Sequence, residues 1–262
     1  MNNTVAATAT SSVGQKKLED PLAYLPCSTI VEYRKGQNIQ SQGLPARGIC
    51  LVLAGKVKVC RQAENGREVV IDIYRPDEFF GESVLLGLPR SAEVSVAIED
   101  TKVMTWTAEA IEEIATRTPQ LALALMQLFV QRSIEFTSRI ESFSTDNIAR
   151  RLVRALIRFS ERLGHLTEDG SVQSMPFTHE LLSQYVGTSR EIVTHYMNQF
   201  RSQGYVRYSR RGTMVYADAL KEWLRQDNAD KADGSLPKDG AGPDGDSDAR
   251  AILSPAKARA AA

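Results

Sequence analysis

Arg190 and Glu191 stand in what the sequence predicts to be the first turn of a helix. A positive charge at that end opposes the helix dipole and costs from a few tenths to about 1 kcal/mol. A chain that accepts this cost gains most if the arginine faces a negatively charged partner. The pair therefore marks a candidate anion-recognition site at the start of a helix.

The residues on either side of this turn predict two helices joined by Gly187. The segment 177–186 places Leu181, Leu182, Tyr185 and Val186 on one face. The segment after the turn carries Val193, Tyr196, Met197 and Phe200 at i, i+3, i+4 and i+7. A helix, a glycine turn and a second helix with a basic start form the layout of a helix-turn-helix DNA reader.

A second cluster of reactive residue types lies in the first half of the chain, as Gly81-Glu82 and Arg90-Ser91-Ala92. The arginine can pair with a phosphate in a charge-assisted bond, and the serine hydroxyl and backbone N–H groups can complete an anion cradle. The glutamate can accept a hydrogen bond from a ribose hydroxyl, and the glycine allows close backbone approach. The motif therefore suits a phosphorylated sugar.

Short β-rich runs separated by turn signals cover residues 30–106, and Asn65-Gly66 is a strong hairpin signal among them. Many short strands at this spacing predict a β-roll or jelly roll. Helices are predicted over 108–117 and from Pro119 to about Phe143. The fold class predicted is therefore α+β, with an N-terminal β-roll, a long helix and a C-terminal winged helix-turn-helix.

The long helix carries apolar and small residues spaced alternately by four and three, which is a heptad seam and predicts a partner helix. The seam comprises Ala122, Met126, Phe129, Ser133, Phe136, Ile140 and Phe143. A second stripe of Leu121, Leu125 and Leu128 is available to the β-domain. The alternative is an amphipathic helix that packs only on its own β-domain.

Composition narrows the classes of function. Hydrophobic residues make up 42% of the 262 residues and charged ones 24%, which is ordinary for a soluble protein, so we expect a cytoplasmic protein without a membrane segment. The three cysteines form no CxxC pair, so the sequence predicts no metal cluster. The sequence also shows no nucleophile–base set and no Walker loop, so we do not expect an enzyme. Residues 147–225 hold 12 lysines and arginines against 7 acidic residues, as expected of a nucleic-acid binder.

These patterns divide the chain into five parts. Residues 1–17 are predicted to be disordered, 18–118 to form the β-roll domain and 119–145 the dimerisation helix. Residues 146–225 are predicted to form the DNA-binding domain and 226–262 a disordered tail. Asp146 or Thr145 is expected to cap a helix over 148–163, and a closing helix is expected over 219–224.

With these motifs, the chain resembles the cyclic-AMP receptor protein family (Crp/Fnr type) of bacterial regulators over roughly residues 20–225. The features shared are Gly-Glu and Arg-Ser-Ala in a β-roll, a long helix, and the run from Val186 to Glu191. The resemblance implies a homodimer that binds near-palindromic double-stranded DNA, with RNA polymerase as a protein partner. It also implies an effector that is a cyclic nucleotide, cAMP or cGMP.

The resemblance assigns roles in the first cluster. It implies that Glu82 binds the ribose 2′-hydroxyl, that Arg90 and Ser91 bind the cyclic phosphate, and that Gly81 shapes the turn. The alternative is a vestigial cassette in which Glu82 pairs with Arg90, so that another effector, or none, controls the protein.

The residues expected to hold the base of the ligand differ from the family pattern. Cyclic-AMP sensors of this family often carry Thr-Ser on the long helix, where this chain has Phe136-Thr137. Thr137 is expected to reach the base and Phe136 to stack on it, although Phe136 also fits the seam as core.

In the reading helix, the resemblance implies that Arg190 and Glu191 contact base edges. Arginine can pair with guanine O6/N7, and glutamate can accept from cytosine N4. His195 stands where such regulators have a second arginine, and Thr194 is expected to contact a thymine methyl. The alternative for Glu191 is a capping box in which it folds back on the helix start.

Other polar residues nearby are expected to position the DNA backbone without reading its sequence. These are Thr178, His179 and Ser189 at the helix starts, and Arg210 and Arg211 at the tip of a two-stranded wing. A solvated basic turn is the alternative for the two arginines. An alternative of another class is a cyclic-nucleotide module that acts through protein contacts, with a helix-turn-helix that packs but does not read DNA.

Overall fold

A computed structural model describes residues 18–167, 170–209 and 212–232. The predicted fold class is confirmed, with a β-roll, a long helix and a winged helix-turn-helix in that order. Of the described residues, those up to Lys221 belong to one compact unit and those from Glu222 to another. The segments 1–17 and 233–262, predicted to be disordered, lie outside the described residues.

Eight strands build the β-roll as two antiparallel four-stranded sheets, with orders β1-β8-β3-β6 and β2-β7-β4-β5. The strands are β1 Thr29–Tyr33, β2 Asn38–Gln40, β3 Ile49–Ala54, β4 Val57–Gln62, β5 Glu68–Tyr74, β6 Phe79–Phe80, β7 Val94–Ala97 and β8 Thr101–Trp106. The Asn65-Gly66 signal is confirmed, because β4 and β5 pair across this turn and Gly66 has a φ of 77°.

Strand β3 shows how the sequence builds two cores. Successive side chains of a strand point to opposite faces. Cys50 and Val52 pack in the core between the two sheets, while Ile49 and Leu51 pack in a second core on the outer face. All four residues are buried, so β3 is covered on both sides and holds the β-roll to the helices that follow it.

Six α-helices and a third sheet follow the strands of the β-roll in the described chain. The helices are α1 Ala108–Arg117, α2 Pro119–Thr145, α3 Ile148–Leu163, α4 His179–Val186, α5 Arg190–Ser202 and α6 Ala217–Ala232. The sheet, of order β11-β12-β10-β9, contains β9 His165–Leu166, β10 Val172–Ser174, β11 Val206–Ser209 and β12 Gly212–Val215. The prediction missed β9 and β10, which are very short. It also ended the last helix at 224, whereas α6 continues to Ala232, through residues predicted to be disordered.

Helix α2 packs on the β-roll through the predicted stripe, since Leu121 and Leu125 are buried in the outer core and Leu128 packs against it. The predicted seam is partly wrong. Phe129 lies on the inner side against the same core, because its position is one turn from Leu125. The large apolar residues exposed on α2 are Leu123, Met126, Val130, Ile134, Ile140 and Phe143.

The junction of α2 and α3 is built around Asp146, but the predicted cap is wrong. Asn147 caps α3 by accepting from the N–H of Arg150. The buried carboxylate of Asp146 accepts from Ser142, from Arg150 at 2.7 Å and from Arg154 at 2.7 Å. Burial by itself would raise the pKa of Asp146, but these three hydrogen bonds outweigh burial and lower it to about 2.

Within the described ranges, no helix combines the length and apolar character needed to cross a membrane. The same part of the chain holds no group of three or more His, Cys, Asp or Glu side chains arranged to bind a metal ion.

Replacing Asp146 with asparagine should destabilise the protein at pH 7 by about 2 kcal/mol, because the pKa of the folded state lies well below the usual value of 3.8. A lowered pKa contributes stability above the unfolded-state pKa and loses it as the pH falls through the folded-state pKa. The difference between wild type and Asp146→Asn should therefore stay constant above about pH 5 and shrink between pH 4 and pH 2.

Urea unfolding at a series of pH values measures this difference. The exposed Glu141 on the same helix supplies the control, and Glu141→Gln should change the free energy of unfolding by less than about 0.5 kcal/mol. An Asp146→Asn variant as stable as wild type at pH 7 would contradict the stabilising role.

Candidate effector site and nucleic-acid interface

Gly81 turns the chain from β6 into a short 3-10 helix, Glu82–Leu86. Its φ of 83° lies in the left-handed region, which favours glycine. A Cβ at this position would lie 2.8 Å from the carbonyl oxygen of Gly48 and 3.0 Å from the Gln40 amide nitrogen. Glycine is therefore required here, and the turn directs Glu82 towards α2.

Glu82 pairs with Arg132 of α2, not with Arg90 as the vestigial alternative supposed. One guanidinium nitrogen of Arg132 lies 2.6 Å from Glu82 Oε1, and the other donates to the carbonyl of Phe79 at 2.5 Å. The guanidinium also lies over the ring of Tyr74, at 4.9 Å from its centroid. The side chain of Arg132 is 12% exposed, so the site contains a nearly buried cation that sequence reasoning missed.

Ser91 is buried, and its hydroxyl is held by its own loop. The hydroxyl donates to the carbonyl of Glu93 and accepts from the N–H of Glu93, both at 3.0 Å. Arg90 and Ala92 beside it are exposed, and Arg90 forms no ion pair or hydrogen bond within the part of the chain that the structure describes. The loop thus presents a free guanidinium next to a buried hydroxyl, which suits an anion.

Glu93 is a further member of this site that the motif reading missed. Burial and the nearby carboxylate of Glu82 raise the pKa of Glu93, while Arg61 and Arg132 oppose the shift. Two carboxylates and several arginines therefore share one region of the β-roll. Such a site can hold an anion at its arginines and accept hydroxyl groups at its carboxylates.

The two residues expected at the base end lie on α2, one turn beyond Arg132. Phe136 is half-buried, and Thr137 is exposed with its hydroxyl donating to the carbonyl of Ser133 at 2.9 Å. Arg132 and Phe136 are four residues apart and share a helix face. That spacing was the available sequence signal for Arg132.

A buried carboxylate, Asp72 of β5, joins the β-roll to the DNA-binding half. Its side chain is 3% exposed and accepts from Arg158 at 3.0 Å and from Arg162 at 2.8 Å, both on α3. Glu135 of α2 also pairs with Arg158, and Glu78 pairs with Arg162. A cavity of about 170 Å3 next to this cluster is lined by both Arg132 and Arg162, so the effector site and the domain contact adjoin.

Arg139 of α2 makes a second junction. Its guanidinium donates to the carbonyls of Ile71 and Val70 on β5 and to the carbonyl of Tyr185 on α4, at 2.6, 2.8 and 2.7 Å. It also lies over the ring of Tyr185, at 3.8 Å from the centroid. A single side chain of the long helix thus contacts the β-roll and the first helix of the helix-turn-helix.

The helix-turn-helix forms as the sequence predicts. Helix α4 ends at Gly187, whose φ of 76° is left-handed, and α5 begins after Ser189, whose hydroxyl accepts from the N–H of Ile192. The two helices share a buried core, to which the apolar positions of both sequences contribute. Its fully buried members include Leu182, Val193, Met197 and Phe200.

The start of α5 presents its polar residues to solvent. Arg190, Glu191 and His195 are exposed, whereas Val193 and Met197 on the other face are buried. Hydrogen bonds to its own N–H and to Ser189 lower the pKa of Glu191. Glu191 therefore turns towards the helix start in the unbound chain, where Ser189 is the capping residue.

The residues expected to position the backbone fall into different environments. Thr178 is exposed and caps α4 by accepting from the N–H of Leu181. His179 instead has both ring nitrogens bonded inside the domain, to Thr194 and Tyr208. Arg210 and Arg211 lie outside the described residues, between β11 and β12 of the wing.

Two family models match the chain. A cyclic nucleotide-binding domain matches residues 30–118, which contain the β-roll and α1. A Crp-like helix-turn-helix domain matches residues 150–223, which contain α4, α5 and the wing. The first match includes Glu82, Arg90 and Ser91, and the second includes the start of α5.

Individual proteins agree with these matches. A CRP-like cAMP-activated global transcriptional regulator of Mycobacterium tuberculosis is 24% identical over 190 residues, covering 71% of this chain and 83% of that protein. The transcriptional regulator SdrP of Thermus thermophilus is 31% identical over 180 residues, covering 68% and 84%. A solved CRP/FNR family regulator from Thermus thermophilus superposes with a TM-score of 0.60 at 28% identity, covering 75% of this chain and 98% of that one.

The helix-turn-helix geometry predicts unequal effects at two glycines. Gly187→Ala and Gly204→Ala both place a side chain in a left-handed backbone, which costs about 1–2 kcal/mol. A Cβ at Gly187 also meets the ring of Phe143 at 3.2 Å, while a Cβ at Gly204 meets nothing within 4 Å. Gly187→Ala should therefore lower the free energy of unfolding more than Gly204→Ala, as thermal or urea unfolding can measure.

Phe143→Leu tests the source of the extra cost. In that background the two glycine substitutions should become equally destabilising. Equal effects in the wild-type background would instead show that the contact between Gly187 and α2 is too loose to matter.

Proposed function

The chain belongs to the Crp/Fnr family of transcriptional regulators, which are not enzymes, and on that premise we propose that it is a homodimeric DNA-binding regulator controlled by a cyclic nucleotide, cAMP or cGMP. It acts on double-stranded DNA in the cytoplasm. Residues 18–118 hold the effector, 119–145 form the dimer helix and 146–225 bind DNA. No function is proposed for residues 1–17 and 226–262.

The observation that carries the DNA-binding role is the polar face at the start of α5. Arg190, Glu191 and His195 are exposed there, while the opposite face of α5 is anchored in the core. A rigid helix with an exposed arginine at its N-terminus can enter the major groove and pair with guanine. Glu191 would leave the helix start and accept from cytosine N4, and His195 would bond a further base.

The wing and the helix starts would hold the phosphate backbone. Thr178 and Ser189 stand at the N-termini of α4 and α5, where the helix dipole and free N–H groups attract phosphate. Arg210 and Arg211 would contact the backbone from the wing tip. Thr194, on α5, is hydrogen-bonded to His179.

The effector proposal rests on the position of the exposed Arg90 guanidinium next to the buried Ser91 hydroxyl. A cyclic phosphate at this loop would take the exposed guanidinium of Arg90 and draw the Ser91 hydroxyl away from the Glu93 carbonyl. Glu82, oriented by Arg132, would accept from the ribose 2′-hydroxyl, and Gly81 would let the backbone approach. Ala92, the next residue after Ser91, leaves this approach open because its side chain is small.

The base of the nucleotide would lie along α2. Phe136 would stack on the purine, and the Thr137 hydroxyl, which donates to Ser133, would accept from an exocyclic amino group. Adenine and guanine both carry such a group. The two residues therefore suit a purine without selecting between cAMP and cGMP.

The exposed apolar stripe of α2, which shares Met126, Ile140 and Phe143 with the predicted seam, would form the dimer contact. Met126 is 60% exposed and Ile134 is 65% exposed, and Val130 lies between them on the same face. Pairing two copies of this stripe removes the apolar side chains from water and sets the two α5 helices for half-sites about 34 Å apart. A bound dimer would then present its surface to RNA polymerase.

Arg90→Ala should weaken binding of whichever cyclic nucleotide the wild type binds by about tenfold or more, because a charge-assisted hydrogen bond to the phosphate is lost. Calorimetric titration with cAMP and then cGMP measures the effect. Arg67→Ala, which removes an exposed arginine from the β4–β5 turn, should bind as the wild type does.

Two other results would change the effector proposal. Unchanged affinity of Arg90→Ala would move the phosphate to another arginine. If neither nucleotide gives heat or thermal stabilisation to the wild type, the cassette is vestigial and another effector, or none, controls the regulator.

Arg190→Ala should reduce affinity for the preferred site by about 1–3 kcal/mol and leave binding to unrelated DNA nearly unchanged, because only the base contact is lost. The preferred site is first obtained by selection from random duplexes with the purified wild type. Arg201→Ala, at the other end of α5, is the matched control and should keep the sequence preference. Full sequence preference in Arg190→Ala would favour a helix-turn-helix that packs without reading bases.

A further inference from the structure

His179 opens α4, and its ring touches both other elements of the DNA reader. Nδ1 lies 2.8 Å from the hydroxyl of Thr194 on α5, and Nε2 lies 3.0 Å from the hydroxyl of Tyr208 on β11. The rings of His179 and Tyr208 also contact, with centroids 6.3 Å apart. One imidazole therefore links the first helix, the recognition helix and the wing.

A carbonyl group of α5 favours one direction for these bonds. The Thr194 hydroxyl donates its single proton to the carbonyl of Arg190 at 2.8 Å. When the hydroxyl gives its proton to this carbonyl, the same oxygen accepts from His179, and this arrangement places the ring proton on Nδ1. In the neutral ring, Nε2 is the acceptor, and the Tyr208 hydroxyl donates to it.

The surroundings of the ring favour its neutral form. Burial first, and then the positive charge of Arg190, lower the pKa of His179 below its ordinary value of 6.5. The ring is therefore neutral at pH 7. Because Nδ1–H is already given to Thr194 and Nε2 accepts from Tyr208, the neutral ring has no N–H group left to offer a phosphate.

We propose that His179 is a positioning residue, which as the Nδ1–H tautomer fixes α5 and the wing to each other, rather than a phosphate contact. The proposal rests on the DNA-binding function proposed above. It also revises the role of Thr194, whose hydroxyl belongs to this chain of bonds and sets the position of the Arg190 turn. A misplaced first turn of α5 would carry Arg190 away from its base.

The tautomer can be read in the free protein, without DNA. Long-range nitrogen–proton correlation NMR at pH 7 should show His179 with a protonated Nδ1 and a bare Nε2. Thr194→Val removes the acceptor and should abolish this single form, giving a mixture of tautomers. A wild-type ring protonated at Nε2, or one that averages between tautomers, would overturn the proposal.

DNA affinity tests the positioning role. Valine has the shape of threonine and keeps an apolar face for a thymine methyl, so Thr194→Val separates the two roles of this residue. If the bond chain positions α5, Thr194→Val and His179→Ala should each weaken binding to the selected site by roughly three- to tenfold, and the double variant should be little worse than either. Unchanged or tighter binding by Thr194→Val, or additive losses, would overturn it.

A conservative variant separates loss of the bonds from loss of the fold. His179→Asn can still donate to Thr194 but does not reach Tyr208, so it should recover part of the affinity lost in His179→Ala, and Tyr208→Phe should resemble it. No recovery in His179→Asn would count against the proposed link to α5. His165→Gln, on β9, is the control histidine and should bind DNA as the wild type does.

The two levels of the proposal fail in different ways. A wild type that binds no selected DNA overturns the proposed function, while the tautomer measurement still decides whether the bonds exist. A wild type that binds its site tightly with the wrong tautomer leaves the proposed function standing and removes the role of His179.

Discussion

The arrangement of this protein depends on a buried carboxylate, Asp72, shared by two arginines of α3. Burying the Asp72 carboxylate costs several kcal/mol, and its attraction to the partly buried Arg158 and Arg162 offsets that cost only in a close geometry. Such a cluster adds little net stability, but it strongly disfavours arrangements in which Asp72 stays buried without Arg158 and Arg162. It therefore fixes where α3, and the helix-turn-helix that follows it, lie on the β-roll.

The sequence predicts those parts of the fold that local patterns determine. Alternation along β3, the Asn65-Gly66 turn and the glycine between α4 and α5 each follow from the preferences of a few neighbouring residues. The errors concern tertiary choices. Phe129 fits a heptad seam by spacing alone, but the outer core of the β-roll takes it, and the exposed stripe shifts to Val130 and Ile134.

The candidate sites show the same limit. Gly81, Glu82, Arg90 and Ser91 are close in sequence, and their motif could be recognised together. Arg132 lies 50 residues from Glu82 and Arg162 lies 90 residues from Asp72, so no local pattern links these pairs. His179 shows the same limit: its residue type suits phosphate, and only the fold shows that its ring nitrogens are bonded to Thr194 and Tyr208.

Helix α2 connects the two halves because Arg132 and Arg139 are seven residues apart. That spacing puts both guanidinium groups on one face of the helix, about 10 Å apart along its axis. Arg132 holds Glu82 of the candidate effector site, while Arg139 holds carbonyls of β5 and α4. A rigid helix cannot turn or slide at Arg132 without displacing Arg139.

Breaking one charge-assisted hydrogen bond costs about 1.5–3 kcal/mol, and a typical allosteric coupling is about 1–3 kcal/mol. Loss or gain of a single Arg139 bond would therefore be enough to couple the proposed nucleotide site to α4, the first helix of the helix-turn-helix.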